Sequence, residues 1–416
     1  MSETALVHKM ELRDLESVLR RKLGDQLAVV SYDTEPLIPL GENYCSTILK
    51  VRAIVKDSAD GAEPRELNLV AKMMPATDYQ RQIFDSKFTF RKENFFYQKL
   101  LPAYQQLERE FGVGNDEIFD NAPMFYGARS SKLAGDDEAI DDDAVILMQN
   151  LKVLGYYTID RMKGMDEDHA KTSIVVLGRF HALSVAMRHH KPEFFEVIKE
   201  NSKCLRFEIE EDDVEEIRIF VETMRTDPVT CPYYEDIRAS MALDLHEVWE
   251  GLPSADWASI IHADCWTNNI MFLQDPDTGR VADVKFVDFQ NYLFMSPLRD
   301  LVFFLMMNPD SHVMDNKFDE LVDLYYDTFV AHLERLGCDV APFSREKFDA
   351  RLKIDAFWEF PHIPFMTKIM TTQLKHDDNV TVLEDVIRST EMSPAFMEKI
   401  RQCVLKYAEK GWFSAK

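Results

Sequence analysis

Two apolar, β-prone runs, Ile270 to Gln274 and Val281 to Val287, are separated by Asp-Pro-Asp-Thr-Gly, and this arrangement all but dictates a hairpin. A hairpin joins the start of its first strand to the end of its second, so Asn269 and Asp288 become neighbours. Just upstream, IHADCWTNNIMF (Ile261 to Phe272) interrupts an apolar frame with His262, Asp264, Asn268 and Asn269. Polar groups in such a frame are either satisfied internally or used. Mg²⁺ takes hard oxygen ligands, one or two from side chains and the rest from water and phosphates, and Asn269 with Asp288 supply such a pair. Asp264, on the preceding loop, is placed to orient a hydroxyl and accept its proton during phosphoryl transfer. Singly, Asp264 and Asn269 read as loop residues bonding their own backbone; with the hairpin between Asn269 and Asp288, the three favour the metal-and-base reading.

The first 150 residues carry what such a site requires. Residues 10–22 have helical spacing. SYDTEPLIPLGENYCSTILKVRAIVKD reads as two strands turning near Gly41, and LNLVAKMMP reads as a third, after a polar loop from Ser58 to Glu66. Lys72 in that strand is costly unless paired, and Glu93 lies on the following helix, expected from Tyr79 to Leu101. In kinase-like sites a strand lysine held by a helix glutamate contacts the α and β phosphates. PMFYGARS and AVILMQNL are two further strands, and the acidic tract GDDEAIDDD between them reads as an exposed, mobile hairpin loop rather than a metal site. Beyond Gly155 the pattern turns helical, with one short strand pair at the opening motif.

Acidic residues outnumber basic ones 73 to 48, a net charge of −25, which argues against nucleic-acid binding. The six cysteines are scattered without paired spacing, so neither a zinc site nor a disulfide framework is indicated. The longest apolar run, Leu301 to Met307, is too short to span a bilayer, and the charged N-terminal stretch does not read as a signal peptide. The expectation is a cytoplasmic protein with no membrane insertion and no obligate protein partner.

Taken together, GENYCS, LVAKMMP, FRKENFFYQKLLP, AVILMQNLKVLGY, LGRFHALSVA, HADCWTNNIMF and VKFVDFQ resemble the motifs of the ecdysteroid kinase-like (CHK kinase-like) proteins. These belong to the choline kinase and aminoglycoside phosphotransferase group, and the match covers nearly the whole chain. The resemblance implies that Asp264 is the catalytic aspartate, that Asn269 and Asp288 bind Mg²⁺, and that Lys72 pairs with Glu93. It implies that Gly41 and Asn43 lie in a glycine loop over the nucleotide. It also implies that the hinge backbone, Met148, Gln149, Asn150 and Leu151, bonds the adenine of ATP. Two departures stand out. Ala263 replaces the family's glycine, which strains the loop if its φ is positive, and the hinge reads MQNL where acidic residues are usual.

The expected fold class is α+β, a two-lobed protein-kinase-like fold. Residues 1–150 form the nucleotide-binding N-lobe, a sheet-containing part. Residues 151–416 form a mainly helical C-lobe with catalytic loop, metal site and substrate pocket. The expected activity is ATP- and Mg²⁺-dependent phosphorylation of a small-molecule hydroxyl, the family name implying the 22-hydroxyl of an ecdysteroid. Choline, ethanolamine, xenobiotic phenols or glycosides are alternative acceptors, and a ligand-binding pseudokinase is the non-enzymatic alternative. Aromatic DAFWEFPHIPFMTKIM, broken by Pro361 and Pro364, offers a pocket wall or core packing in equal measure, with Trp358 and Phe365 as candidates beside Trp266 and Tyr292. His262 reads as an anchor of the loop, His181 as a core histidine, and Asp300 as a bond to the loop backbone or a helix cap.

Overall fold

The computed structural model describes residues 11–37, 46–57, 63–132, 139–372 and 389–414 of the 416. Contacts divide the chain into two compact units. The first takes the described residues up to Pro102 together with Ala122–Tyr157; the second takes Ala103–Asn121 and the described residues from Thr158 onward.

In the first unit, β1 (Leu27–Pro36), β2 (Thr47–Asp57), β3 (Arg65–Met73), β4 (Phe125–Arg129) and β5 (Val145–Gln149) form an antiparallel sheet in the order β1-β2-β3-β5-β4. Alternation sorts its faces: Val51, Ala53 and Val55 on β2 and Leu67, Leu69 and Ala71 on β3 are buried together with Leu15, Val18 and Leu19 of α1 (Leu15–Leu23). The loop expected from Ser58 to Glu66 ends earlier, because Arg65 and Glu66 already pair with Val55 and Ile54. The Gly41 turn lies outside the described residues, as do residues 135–138 of the acidic tract; in the rest of the tract, expected to be exposed, Ile140 is buried and Asp141 and Asp143 are half-buried. Of that tract's described part, Asp141 accepts the Asp143 N–H at 2.8 Å and shapes the turn into β5.

The single helix expected from Tyr79 to Leu101 is divided. Asp85 adopts a left-handed φ of 34° between α2 (Asp78–Ile83) and α3 (Ser86–Phe95), and its side chain caps α3 through the Phe88 N–H. After α3 the chain does not stop at Pro102. Phe96–Leu100 winds as a π-helical turn, with the Leu101 N–H on the Phe96 carbonyl, and α4 (Leu101–Glu110) follows. A proline ring clashes with the carbonyl four residues back in α geometry, and the wider turn accommodates it.

The second unit is mainly helical, from α5 (Glu167–His190) through α6 (Pro192–Glu200), α7 (Glu211–Thr226), α8 (Tyr234–Met241), α9 (Leu245–Glu250), α10 (Pro297–Met307), α11 (Ser311–Asn316), α12 (Phe318–Arg335), α13 (Arg345–Glu359) and α14 (His362–Thr371) to a last helix, Pro394–Lys410. Pro361 does separate α13 from α14, but Pro364 does not break a helix: it sits in the first turn of α14, where its missing N–H has no intrahelical partner to lose. Among the described residues no helix is long and apolar enough to cross a membrane. Four short strands interrupt the helices in two ladders: β6 (Ser259–Ile261) with β9 (Leu293–Met295), and β7 (Ile270–Gln274) with β8 (Val281–Phe286).

Candidate functional site

The expected hairpin forms, with Ile270 opposite Phe286 and the Val287 N–H on the Asn269 carbonyl at 2.9 Å. Its turn is organised by Asp275, whose Oδ1 accepts the N–H groups of Asp277 and Thr278. The outer edge of β8 is not left open. Asn121 accepts from the Phe286 N–H and donates to the Val284 carbonyl, both at 2.8 Å, while Asp168 of α5 accepts from the Val281 N–H at 2.7 Å. The β6–β9 ladder escaped the sequence reading because three-residue strands carry no usable period. It closes the other end: β6 enters the loop 262–269 that β7 leaves, and β9 leaves the loop 287–292 that β8 enters. Both loops are thereby clamped at each end.

Asp300 of α10 fixes the first loop from below. It is buried, and its carboxylate accepts the His262 N–H at 2.7 Å on Oδ2 and the Ala263 N–H at 3.0 Å on Oδ1. His181 of α5 lies 3.2 Å from Oδ2 through Nε2 and 2.7 Å from the Tyr325 hydroxyl through Nδ1. Burial would raise the Asp300 pKa, but the His181 hydrogen bond and charge, the charge of His262 and the loop N–H outweigh it, leaving the pKa below its ordinary value. So Asp300 bonds the loop backbone. Asp300→Asn turns one acceptor into a donor facing an N–H, and is expected to cost about 1–3 kcal/mol, read as a lower urea midpoint.

His262 is the anchor the sequence led us to expect. Its ring is fully buried, 4.7 Å from that of Phe289, with Nε2 3.1 Å from the Val287 carbonyl, so it ties one loop to the other; Nδ1 has no partner among the described residues. Burial, the largest influence, lowers its pKa against the pull of Asp300 and Asp288. The unfolded chain then holds more protons, so this contribution is present above the ordinary value of 6.5 and is lost as pH falls below it. The urea midpoint should drop between pH 7.5 and pH 5.5, and His262→Gln should flatten that drop.

Ala263 has φ 63° and Asp288 has φ 65°. Aspartate tolerates the left-handed region; alanine does so at a cost of about 1–2 kcal/mol. The strain feared at Ala263 is therefore real, and its N–H bond to Asp300 holds it. Strain of this kind gathers at functional sites. Ala263→Gly is expected to stabilise the protein by about 1 kcal/mol, measured as a raised Tm.

Asp264 is half-buried between these loops. Asn269 donates through Nδ2 to both the Asp264 carbonyl and Oδ2 at 2.9 Å, which turns its amide oxygen away from Asp264. Burial first, then the Asp288 carboxylate, raises the Asp264 pKa well above the ordinary range, while hydrogen bonds from Asn269 and Asn291 pull the other way. The amide oxygen of Asn269, turned from Asp264, and the Asp288 carboxylate are hard-oxygen groups of the kind Mg²⁺ takes. Among the described residues no group of three or more His, Cys, Asp or Glu is arranged to hold a metal. Sequence reading missed Asn291, although it follows the DFQ motif directly, and left open the role of Asp300.

In the first unit, Lys72 of β3 and Glu93 of α3 meet at 2.6 Å, 6% and 1% exposed. The MQNL segment expected as the hinge is the end of β5 running into a 3₁₀ turn, Leu151–Leu154. The Gln149 N–H is taken by the Met124 carbonyl at 2.8 Å and that of Asn150 by the Asn68 carbonyl at 3.1 Å. Asn150 Oδ1 caps the turn through the Lys152 N–H, which gives this departure from the acidic hinge a structural role. Gly41 and Asn43 lie outside the described residues.

The aromatic candidates separate. Tyr292 is wholly buried and Trp266 half-buried, starting the 3₁₀ turn Thr267–Asn269. Trp358 is half-buried on α13 and Phe365 is 45% exposed on α14.

Residues 40–338 match the family described as the ecdysteroid kinase-like family. The chain belongs to that family. It is accordingly a kinase-like phosphotransferase of the small-molecule type. No curated protein matches this ecdysteroid kinase-like chain. Among solved structures it is similar to the GDP complex of wild-type aminoglycoside 2'-phosphotransferase-IIIa, at 10% identity over 95% of this chain and 97% of that one, TM-score 0.39. It is also similar to choline kinase LicA from Streptococcus pneumoniae, at 15% identity over 82% and 98%, TM-score 0.28. A third is a microcompartment-associated aminopropanol kinase, at 14% identity over 92% and 94%, TM-score 0.39.

Proposed function

We propose that the protein transfers the γ-phosphoryl group of ATP to a hydroxyl of a small molecule, with an ecdysteroid or related apolar alcohol as acceptor. The observation that carries this reading is Asp264, held by Asn269 and facing the field of Asp288, on a loop whose backbone Asp300 fixes. Asp264 orients the acceptor hydroxyl and takes its proton as the oxygen forms its bond to the γ-phosphorus. The bond from that phosphorus to the leaving ADP oxygen breaks in the same passage. A carboxylate with a raised pKa is a better proton acceptor than an ordinary one. Asn269 and Asp288 would hold Mg²⁺, which when bound neutralises phosphate charge.

On the same reading residues 1–150 bind the nucleotide and residues 151–416 carry the catalytic loop and the acceptor. Lys72, kept in place by Glu93, contacts the α and β phosphates, and the GENY loop with Gly41 and Asn43 covers them. Because the Gln149 and Asn150 N–H groups are already bonded, adenine at the hinge meets other backbone groups at the end of β5 and in the turn that follows, such as the Asn150 carbonyl and the Leu151 N–H. A cytoplasmic setting, where ATP is available and thiols stay reduced, suits the free Cys231, Cys265, Cys338 and Cys403.

The test is mass spectrometry of products after incubation with ATP, Mg²⁺ and a panel of ecdysteroids, choline, ethanolamine and phenols. A phosphorylated ecdysteroid is expected. A product only on another member would discard the steroid and keep the chemistry; absence of both product and ATP binding would reject the reading.

A further inference from the structure

One helix position from Asp300, Arg299 enters a cluster the transfer step does not use. Arg299 is 5% exposed; its Nε bonds Glu359 Oε2, its Nη1 donates to the Val248 carbonyl at 3.0 Å, and its Nη2 has no partner among the described residues. The other Glu359 oxygen lies 2.7 Å from His362 Nδ1. The His362 ring stacks on Phe303 at 4.6 Å and meets the Trp249 ring edge-on at 4.7 Å, and Phe365 lies nearly parallel to it at 6.5 Å. Trp249 joins this cluster to the catalytic loop, since it packs on the Ile261–Leu293–Met295 core against which Ala263 also packs. Trp249 and Phe365 keep solvent-facing surface.

The electrostatics sort the molecules this surface accepts. A cationic alcohol such as choline needs open aromatic faces or an unpaired carboxylate. Here the Arg299 guanidinium already lies 5.6 Å from the centre of the Trp249 ring. Both Glu359 oxygens are engaged, by Arg299 and by His362. A carboxylate at Nδ1 selects the tautomer with its N–H on that nitrogen, so that in the neutral ring His362 Nε2 is the hydrogen-bond acceptor. An acceptor nitrogen beside aromatic surface matches a molecule with a ring system and a hydroxyl.

We propose that Trp249, Phe365 and His362 form an acceptor-binding wall selective for neutral, ring-bearing alcohols over ammonium alcohols, with His362 Nε2 accepting a hydrogen bond from an acceptor hydroxyl that is not the one phosphorylated. The proposal rests on the small-molecule kinase reading. His362 is on it a positioning residue, held in its tautomer by the Arg299–Glu359 pair.

The test is ligand-observed NMR on the full chain carrying Asp264→Asn, with ecdysone, 4-nitrophenol, choline and ethanolamine as probes and Mg-ATP binding measured in parallel. At least one neutral probe is expected to bind, and choline and ethanolamine are not. Trp249→Leu and His362→Phe should each raise the Kd of the neutral probe about tenfold, one hydrogen bond or stacking contact's worth. His362→Gln, which keeps an acceptor, should recover part of the loss, and Mg-ATP affinity should be unchanged in all. Binding of an ammonium alcohol in preference, no binding of either neutral probe, or parent-like Kd values in both variants would overturn the proposal. Failure of the kinase reading is seen separately, as loss of Mg-ATP binding in the parent.

Discussion

Asp264→Asn is expected to lower kcat by about 10²–10⁴-fold, the range set by removing a positioned general base, with little change in the affinity for Mg-ATP. The same substitution should not harm the fold. Asparagine keeps an oxygen for the Asn269 amide, and it removes a charge that burial and Asp288 both disfavour. The metal-free variant should therefore unfold at the same or a higher temperature than the parent. Lost activity with retained or raised Tm is the signature of a site that gives up stability for chemistry. Lost activity with a large fall in Tm would mean that Asp264 serves the loop rather than the reaction.

Lys72→Met should destabilise the protein by about 3–5 kcal/mol, because it leaves Glu93 as a buried carboxylate without its ammonium partner. Removing both charges, as Lys72→Met with Glu93→Leu, should restore most of that stability, since the isolated desolvation cost goes with the pair. Activity should not return with it. If Lys72 holds phosphates, the stable double variant still lacks the cation, and its KM for ATP stays high. A double variant with parent-like KM would show that the pair is structural only. Urea denaturation and ATP-dependent kinetics on the three variants separate these outcomes.

Much of this site is legible in the sequence, for identifiable reasons. The β7–β8 hairpin could be read because alternating apolar runs and a five-residue turn are both local signals, and it carried Asn269 and Asp288 with it. Lys72 could be read as needing a partner because a lysine in an apolar strand is costly alone, and the kinase-like pattern pointed to Glu93 on the following helix. What was not legible depends on partners distant in sequence or on backbone geometry. Asp300 reads in the sequence as either a bond to the loop backbone or a helix cap, and only the fold, which brings it to N–H groups 37 and 38 residues away, decides between the two. The φ of Ala263 is set by that bond and by the strand pair leading into the loop, not by any property of alanine. The π-turn before Pro102 is a solution to a proline that local rules treat as a stop. The occupied hinge N–H groups follow from cross-strand and loop pairing that MQNL alone does not reveal.

The central claim is that this chain moves a phosphoryl group from ATP to an alcohol. The most direct test is incubation with ATP labelled with ¹⁸O on its three non-bridging γ-oxygens, Mg²⁺ and the acceptor panel, followed by mass analysis of every acceptor. The account predicts an acceptor gaining a phosphoryl group that retains all the label, made by the parent and nearly absent with Asp264→Asn. Labelled inorganic phosphate with every acceptor unchanged, or equal product from the parent and Asp264→Asn, would contradict it.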